Sequence, residues 1–381
     1  MRRGLYALTL VASLASVSGC STVAYYAQAV NGQYRLVKTE RPISAILKER
    51  ATPAPLRTKL QEVARIRRFA VNRLDLPDNG SYRNYVALKE RYVAWNVYAS
   101  PRLSLRPRTW CFPIAGCVAY RGYFSRAAAE RYARHLHDRG YDVYVAGVIA
   151  YSTLGWFRDP ILSSMLRGTD TDIAALIFHE LAHQKLYIRN DTTFDESFAV
   201  TVSRTGVRRW LKSAGDRWQL HRYLEQRHRD AQVMALLLRY RSRLEALYAS
   251  TLSAACKLRD KQRLFAALRA AYVRLEKSWG EKNPHAGHYF RHLNNAYFVP
   301  IGAYNCDVSA FKSLLASVGG KLPAFYARAK QIGGFPAAQR HRVLATLRPP
   351  GSSGCRGNGQ TRPRHPVSGA EAISSVKLPL P

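Results

Sequence analysis

The chain has 381 residues, with 59 Lys and Arg against 25 Asp and Glu and a formal net charge of +34. Its 47% hydrophobic content can fill cores for two or three units of about 100–200 residues each, which excludes wholesale disorder. No apolar stretch of about 18 residues follows the N-terminus, so a multi-pass membrane protein is excluded, and the basic excess points first to a nucleic-acid partner.

The N-terminus redirects that reading. Met1-Arg2-Arg3 is a positive n-region, Gly4 to Ala15 is an apolar run too short to span a bilayer, and Val17-Ser18-Gly19-Cys20 resembles a bacterial lipobox. Residues 1–19 are therefore expected to be a lipoprotein signal peptide, cut before an acylated Cys20. Ser21, where an Asp would retain a Gram-negative lipoprotein, implies the outer membrane, facing the periplasm. Acyl chains at about 0.8 kcal/mol per buried methylene anchor a protein without a spanning helix. An exported chain does not meet chromosomal DNA, and no nucleic-acid motif is present, so nucleic acid is not an expected partner. Loss of Arg2 and Arg3 leaves about +32 (34 minus 2) on the mature chain, a solvated surface beside anionic lipid and polysaccharide.

Residues 20–55, with Pro42, Pro53 and Pro55, read as a linker or stalk. Residues 56–165 read as a mixed α/β lobe. Val93, Trp95 and Val97 alternate as in a half-buried strand, Val143, Val145 and Ile149 form a second short apolar run, and Ser125 can cap a helix that stops at Gly140. Residues 166–347 read as a helical lobe, with long Pro-free stretches such as Leu220 to Leu247. The tail, 348–381, is rich in Pro and Gly and is expected to be disordered. An exported chain permits disulfides. Pro113 and Gly116 can turn the chain so that Cys111 meets Cys117; Cys256 with Cys306 is a second candidate pair, and Cys355 is left over.

The chemistry concentrates in the apolar segment from Asp170, read as a capping residue, to Tyr187. Within it, His179-Glu180-Leu181-Ala182-His183 places two imidazoles one helical turn apart on one face, within reach of a single zinc ion at about 2.0–2.1 Å. Glu180, on the flank, can take a proton from the attacking water and pass it to the leaving amine. With 11 His in the chain, this pattern arises by chance at roughly the one per cent level. The context separates it from chance, because an apolar helix does not tolerate these groups without a partner that offsets their burial. A third ligand is available in Glu196, on the first turn of a helix expected to start at about Thr193. Thr193 and Glu196 also fit a capping box, and Asp191 and Asp195 are rival ligands.

His179 to His183 followed by Asp195-Glu196-Ser197-Phe198-Ala199 resembles the gluzincin pattern of zinc aminopeptidases. Trp110-Cys111-Phe112-Pro113, Tyr120-Arg121-Gly122-Tyr123-Phe124, Tyr151-Ser152-Thr153-Leu154-Gly155-Trp156-Phe157 and Asn294-Asn295-Ala296 together resemble a proteobacterial family of aminopeptidase lipoproteins, over roughly residues 20–345. The resemblance implies His179, His183 and Glu196 as ligands of one Zn2+ and Glu180 as general base. It implies an α+β, zincin-like fold, with an N-terminal mixed α/β lobe, a mainly helical C-terminal lobe and the site between them. Only twelve residues separate His183 from Glu196, and the Gly-x-Met-Glu-Asn strand that binds a free amine in the larger aminopeptidases is absent, so exo- and endopeptidase readings both stay open. A tyrosine of the helical lobe commonly stabilises the oxyanion in this class; Tyr304 is the first candidate here and Tyr297 the second. Tyr151 to Pro160 reads either as an edge strand for an extended peptide or as core packing by Leu154, Trp156 and Phe157. His285, His288 and His292 read as a solvated loop. The expected function is a lipid-anchored zinc peptide hydrolase, an aminopeptidase first and a periplasmic metalloendopeptidase second. A non-catalytic envelope scaffold that keeps zinc for structure is the rival from another class.

Overall fold

Where the sequence suggested a linker, residues 25–38 form a helix, α1. Its buried side is Tyr25, Gly32 and Leu36. Gly32 is required there because the Phe124 ring stands 2.2 Å from where a Cβ would be. The computed structural model describes residues 25–112, 116–153, 158–280, 290, 293–350 and 373–375, without the side chains of 151–152, 302–305 and 373–375. Residues 1–24 with Cys20, the His285, His288 and His292 group, Leu154 to Phe157 and Cys355 lie outside it, as does the Tyr304 side chain.

After α1 come β1 (Arg41–Pro42), α2 (Ile43–Lys48) and α3 (Ala54–Leu74). Pro55 lies in the first turn of α3, where a missing N–H costs nothing, and Asp75 ends it in a left-handed conformation at φ 54°. Then β2 (Asn84–Val86) pairs antiparallel with β1 and parallel with β9 (Ile161–Leu162). The larger sheet is centred on β3 (Ala94–Pro101), flanked antiparallel by β6 (Arg121–Tyr123) and β7 (Tyr141–Val148). Unlike the half-buried strand expected, β3 is buried at seven of its eight positions. Trp95, Val97 and Ala99 pack toward α4 (Arg126–Asp138), while Ala94 and Tyr98 join the main core, so both faces are covered. Ser125 caps α4 by accepting from the Ala128 N–H, and Gly140 follows the helix at φ 83°. A hairpin of β4 (Trp110–Phe112) and β5 (Gly116–Val118) carries a disulfide between the directly opposed Cys111 and Cys117. β8 (Ala150–Ser152) pairs antiparallel with β10 (Ile373–Ser375).

The helical part comprises α5 (Asp170–Lys185), α6 (Thr192–Ser213), α7 (Arg217–Ala249), α8 (Ala254–Ser278), α9 (Phe298–Asn305), α10 (Val308–Ser317), α11 (Leu322–Gly333) and α12 (Ala337–Thr346). Helices α3, α5 and α6 pack closely because α6 offers Gly206, where a Cβ would lie 2.7 Å from both Leu74 and Phe178. The Ser203 hydroxyl, donating to the Ala175 carbonyl at 2.6 Å, ties α6 to α5. Helices α7 and α8 share a second core, with Val233, Leu237 and Leu244 against Phe265, Leu268 and Tyr272. Asn295 joins that pair to the large sheet: its amide donates to the carbonyls of Pro101, Arg102 and Ser104 and accepts from the Tyr248 hydroxyl at 2.7 Å. Asn294 caps the 3-10 turn Asn295–Tyr297 and reaches the Val143 carbonyl at 2.8 Å. This Asn-Asn-Ala motif thus holds elements together.

One cysteine expectation is corrected. Cys256 keeps a free thiol, half-buried on the first turn of α8, where it follows the cap Ser253 by three residues. Cys306 is buried after α9 and disulfide-bonded, but not to Cys256.

Candidate metal centre

The helix that carries the two histidines starts one residue earlier than expected. Thr169, rather than Asp170, is the N-cap of α5, in a capping box with Asp172: its hydroxyl accepts from the Asp172 N–H, and the Asp172 carboxylate accepts from the Thr169 N–H. Ile173, Ala174, Ile177, Phe178, Leu181 and Ala182 are fully buried in the main core. The helix is enclosed almost all round, so His179, Glu180 and His183 are buried as well.

The turn to α6 reverses at Asn190, in the left-handed region at φ 68°. Its side-chain oxygen accepts from the Cys117 N–H at 3.0 Å, docking the disulfide hairpin on the turn between the two helices. Only glycine fits at 116, with φ 73° and Asn190 Oδ1 2.2 Å from where a Cβ would be. The α6 cap is Asp191, which accepts from the Phe194 N–H at 3.1 Å. The helix begins at Thr192, so the capping box of Thr193 with Glu196 is not formed, and Glu196 turns to the histidines.

Glu196 Oε2 lies 3.2 Å from His179 Nε2 and 3.6 Å from His183 Nε2, and the two Nε2 atoms are 3.1 Å apart. The rings meet edge to face at 4.8 Å. Four ligands at about 2.0–2.1 Å in a tetrahedron stand about 3.3 Å from one another. The three edges observed bracket that value, so the donor set fits zinc; among the described residues it is the one group of His, Cys, Asp and Glu with metal-binding proximity. Both rival carboxylates are engaged elsewhere. Asp195 accepts from the Ile188 N–H at 2.7 Å, and Asp191 pairs with Arg340 at 2.7 Å.

The electrostatics separate the two glutamates. Burial would raise the Glu196 carboxyl, but His183 and His179 hold it down at about 2, so it is ionised, as a ligand must be. Burial, with the negative charges of Glu196 and Asp159, pushes Glu180 well above the usual carboxylate range. Both Glu180 oxygens and His183 Nδ1 are buried without a hydrogen-bond partner. Desolvation likewise lowers the His179 pKa, keeping the imidazole neutral and able to donate a lone pair.

Sequence reasoning missed the residues behind Glu180. Asp159 accepts from the Thr153 N–H and hydroxyl and from Gln184 Nε2 at 3.0 Å, and Gln184 follows His183 directly. The Asp159 carbonyl accepts from the Tyr82 N–H at 2.6 Å. Tyr82 is 2% exposed, stands in the left-handed region at φ 63°, and its hydroxyl has no partner. Burial first, then the charges of Glu180 and Asp159, push that hydroxyl's pKa up, which places it in the field of the site. No motif marks Tyr82; the signal available was a polar, turn-type stretch, Asp78-Asn79-Gly80-Ser81, directly before it. Tyr297, the second oxyanion candidate, packs on Tyr144 and Phe290 in the core of α7 and α8.

Two histidines one turn apart, a carboxylate from the next helix and an unpartnered carboxylate beside them define a candidate mononuclear metal site carried on a helix pair. The chain belongs to the family described as "Putative aminopeptidase", whose model matches residues 24–344 and so spans both helices and the sheet. No curated protein and no solved structure matches the chain.

Proposed function

We propose that the chain is a zinc-dependent aminopeptidase of zincin-like, α+β architecture, lipid-anchored through Cys20 at the bacterial outer membrane and facing the periplasm. Family membership supports peptide hydrolysis, and the spacing of the three donor atoms of His179, His183 and Glu196 carries the zinc assignment. Zinc, when bound, supplies a Lewis acid for the scissile carbonyl. Glu180 is the general base. A carboxyl whose proton affinity is raised by burial, and whose oxygens have no protein partner, is suited to accept a proton from water and deliver it to the departing amine. Tyr82, with its free hydroxyl, can donate to the oxygen on which charge develops.

An endopeptidase is the second reading, and one observation favours it. β8 lies against α5 and accepts an antiparallel strand, with Ala150 opposite Ser375 and Ser152 opposite Ile373. An edge that takes one extended segment can take an extended substrate in the same way, without engaging its terminus. The test is zinc analysis of the mature protein together with digestion of a mixed peptide library. Loss of one N-terminal residue, blocked by acetylating the peptides, supports the aminopeptidase. Internal cuts support the endopeptidase. Bound zinc without any cleavage overturns both in favour of a scaffold.

A further inference from the structure

Helix α1 is amphipathic on its outer side as well as its inner one. Tyr25, Gly32 and Leu36 face the body, and Gln28 accepts from the Phe124 N–H at 3.0 Å, so the helix is fixed in rotation about its axis. On the far side Val30, Tyr34 and Val37, spaced i, i+4 and i+7, are 68%, 61% and 52% exposed. At about 100° per residue these three lie within one narrow arc, with exposed Lys38 beside it and exposed Arg35 further round on the same side. An apolar stripe edged by cations on a helix already docked through its opposite face is not needed for folding.

We infer that this stripe lies on an anionic lipid surface, with Val30, Tyr34 and Val37 in the headgroup boundary and Arg35 and Lys38 on the phosphates. The inference rests on the lipid-anchor reading in one respect. Cys20 and Tyr25 are five positions apart, and an extended chain of that length reaches about 17 Å at most, so acylation at Cys20 would keep α1 against the bilayer. Charge complementarity is the second argument: the flanking groups are cationic, as is the chain from Cys20 onward at about +32 (34 minus Arg2 and Arg3), and the envelope leaflets offer anionic headgroups. A helix with a polar, cationic border and a short apolar stripe lies in the interface and does not cross it.

The test uses residues 20–381 carrying Cys20→Ser, so that no acyl chain contributes, sedimented with vesicles of phosphatidylglycerol and phosphatidylethanolamine or of phosphatidylcholine alone. Expected are binding to the anionic vesicles that weakens as salt is raised, little binding to phosphatidylcholine, and at least a tenfold loss of anionic-vesicle partitioning in Val30→Asp/Val37→Asp. The substituted positions are exposed and outside the site, so circular dichroism and hydrolysis of a soluble peptide without vesicles stay unchanged. No vesicle binding, or binding equal in the variant, overturns the inference. So does a dimer in light scattering that the variant abolishes, which would give the stripe to a second copy of the chain. Radiolabelled fatty acid on wild-type Cys20 in cells tests the anchor separately, so failure of the anchor and failure of the stripe are read in different experiments.

Discussion

Replacing Glu180 by Gln separates proton transfer from metal binding. The side chain is fully buried and neither oxygen has a partner, so the amide fits the same space and disturbs no hydrogen bond at His179, His183 or Glu196. Zinc content is therefore expected to stay near one per chain. Loss of a positioned proton acceptor lowers turnover by about 10^2- to 10^4-fold, equivalent to about 2.7–5.4 kcal/mol of barrier. In the metal-free protein the same substitution acts on stability. The folded-state pKa of Glu180 is raised above its unfolded value by burial and by the charges of Glu196 and Asp159. At neutral pH the folded state therefore bears a cost for this carboxyl, and the cost fades as pH falls through the folded pKa. Metal-free Glu180→Gln should melt above the metal-free wild type at pH 7, with the gap narrowing toward acid. The measurements are kcat/KM on a fluorogenic peptide, metal content by emission spectroscopy, and calorimetry across pH. Full activity in the variant refutes the assignment of Glu180 as base, and loss of zinc together with activity would place it among the ligands instead.

The remaining expectations concern the ligands, the missed tyrosine and the turn. His183→Ala removes one of three donors, so zinc measured on the purified protein should fall well below one equivalent and hydrolysis should vanish with it. Tyr82→Phe deletes a hydroxyl that bonds to nothing in the fold, so melting should be unchanged, while kcat, measured separately from KM with zinc retained, falls about 10^2- to 10^3-fold if that hydroxyl serves the oxyanion. An unaltered kcat would return Tyr82 to the core. Arg340→Ala removes the guanidinium 2.7 Å from buried Asp191 at the cap of α6 and leaves it only the half-exposed His341 at 3.3 Å, and denaturant titration should show a loss of up to about 3–5 kcal/mol.

The residues that converge on one point were legible because their geometry is local. Spacing i and i+4 on a helix places His179 and His183 on one face in any helix, whatever surrounds it. The short turn before α6 also brought Glu196 within reach. Local pattern did not decide which of several carboxylates turns inward: Thr193 with Glu196 satisfies a capping box on paper, yet Asp191 takes the cap and moves the helix start back. That choice depends on Arg340, about 150 residues away, which holds Asp191 from α12. β3 was misread for a related reason, since alternation reports one open face and both faces of this strand are covered by elements distant in sequence. The helix at 25–38 escaped notice because its inner face is built from Tyr25, Gly32 and Leu36, and a glycine seated on an aromatic ring carries no hydrophobic signal. Cys256 and Cys306 show the limit of cysteine arithmetic, in which spacing names candidates and only the fold pairs them.

The distribution of acids bears on what a metal ion would do for the fold. The chain has only 25 Asp and Glu, yet five of them, Asp159, Glu180, Asp191, Asp195 and Glu196, are buried on or against α5 and α6. Buried carboxylates are retained where something compensates them. Arg340 answers Asp191, and the Thr153 and Gln184 donors answer Asp159. Burial pushes the proton affinity of Asp195, like that of Glu180, upward, which disfavours the charged form of both. Glu196 is different, because it is held ionised by its two histidine neighbours, and burial keeps one of them, His179, from charging readily. A buried carboxylate packed against two buried imidazoles would be better compensated with a dication at its centre than without one. A metal ion bound by His179, His183 and Glu196 would stabilise the folded chain over the unfolded one, and its binding would then be thermodynamically linked to the folding of the α5–α6 pair.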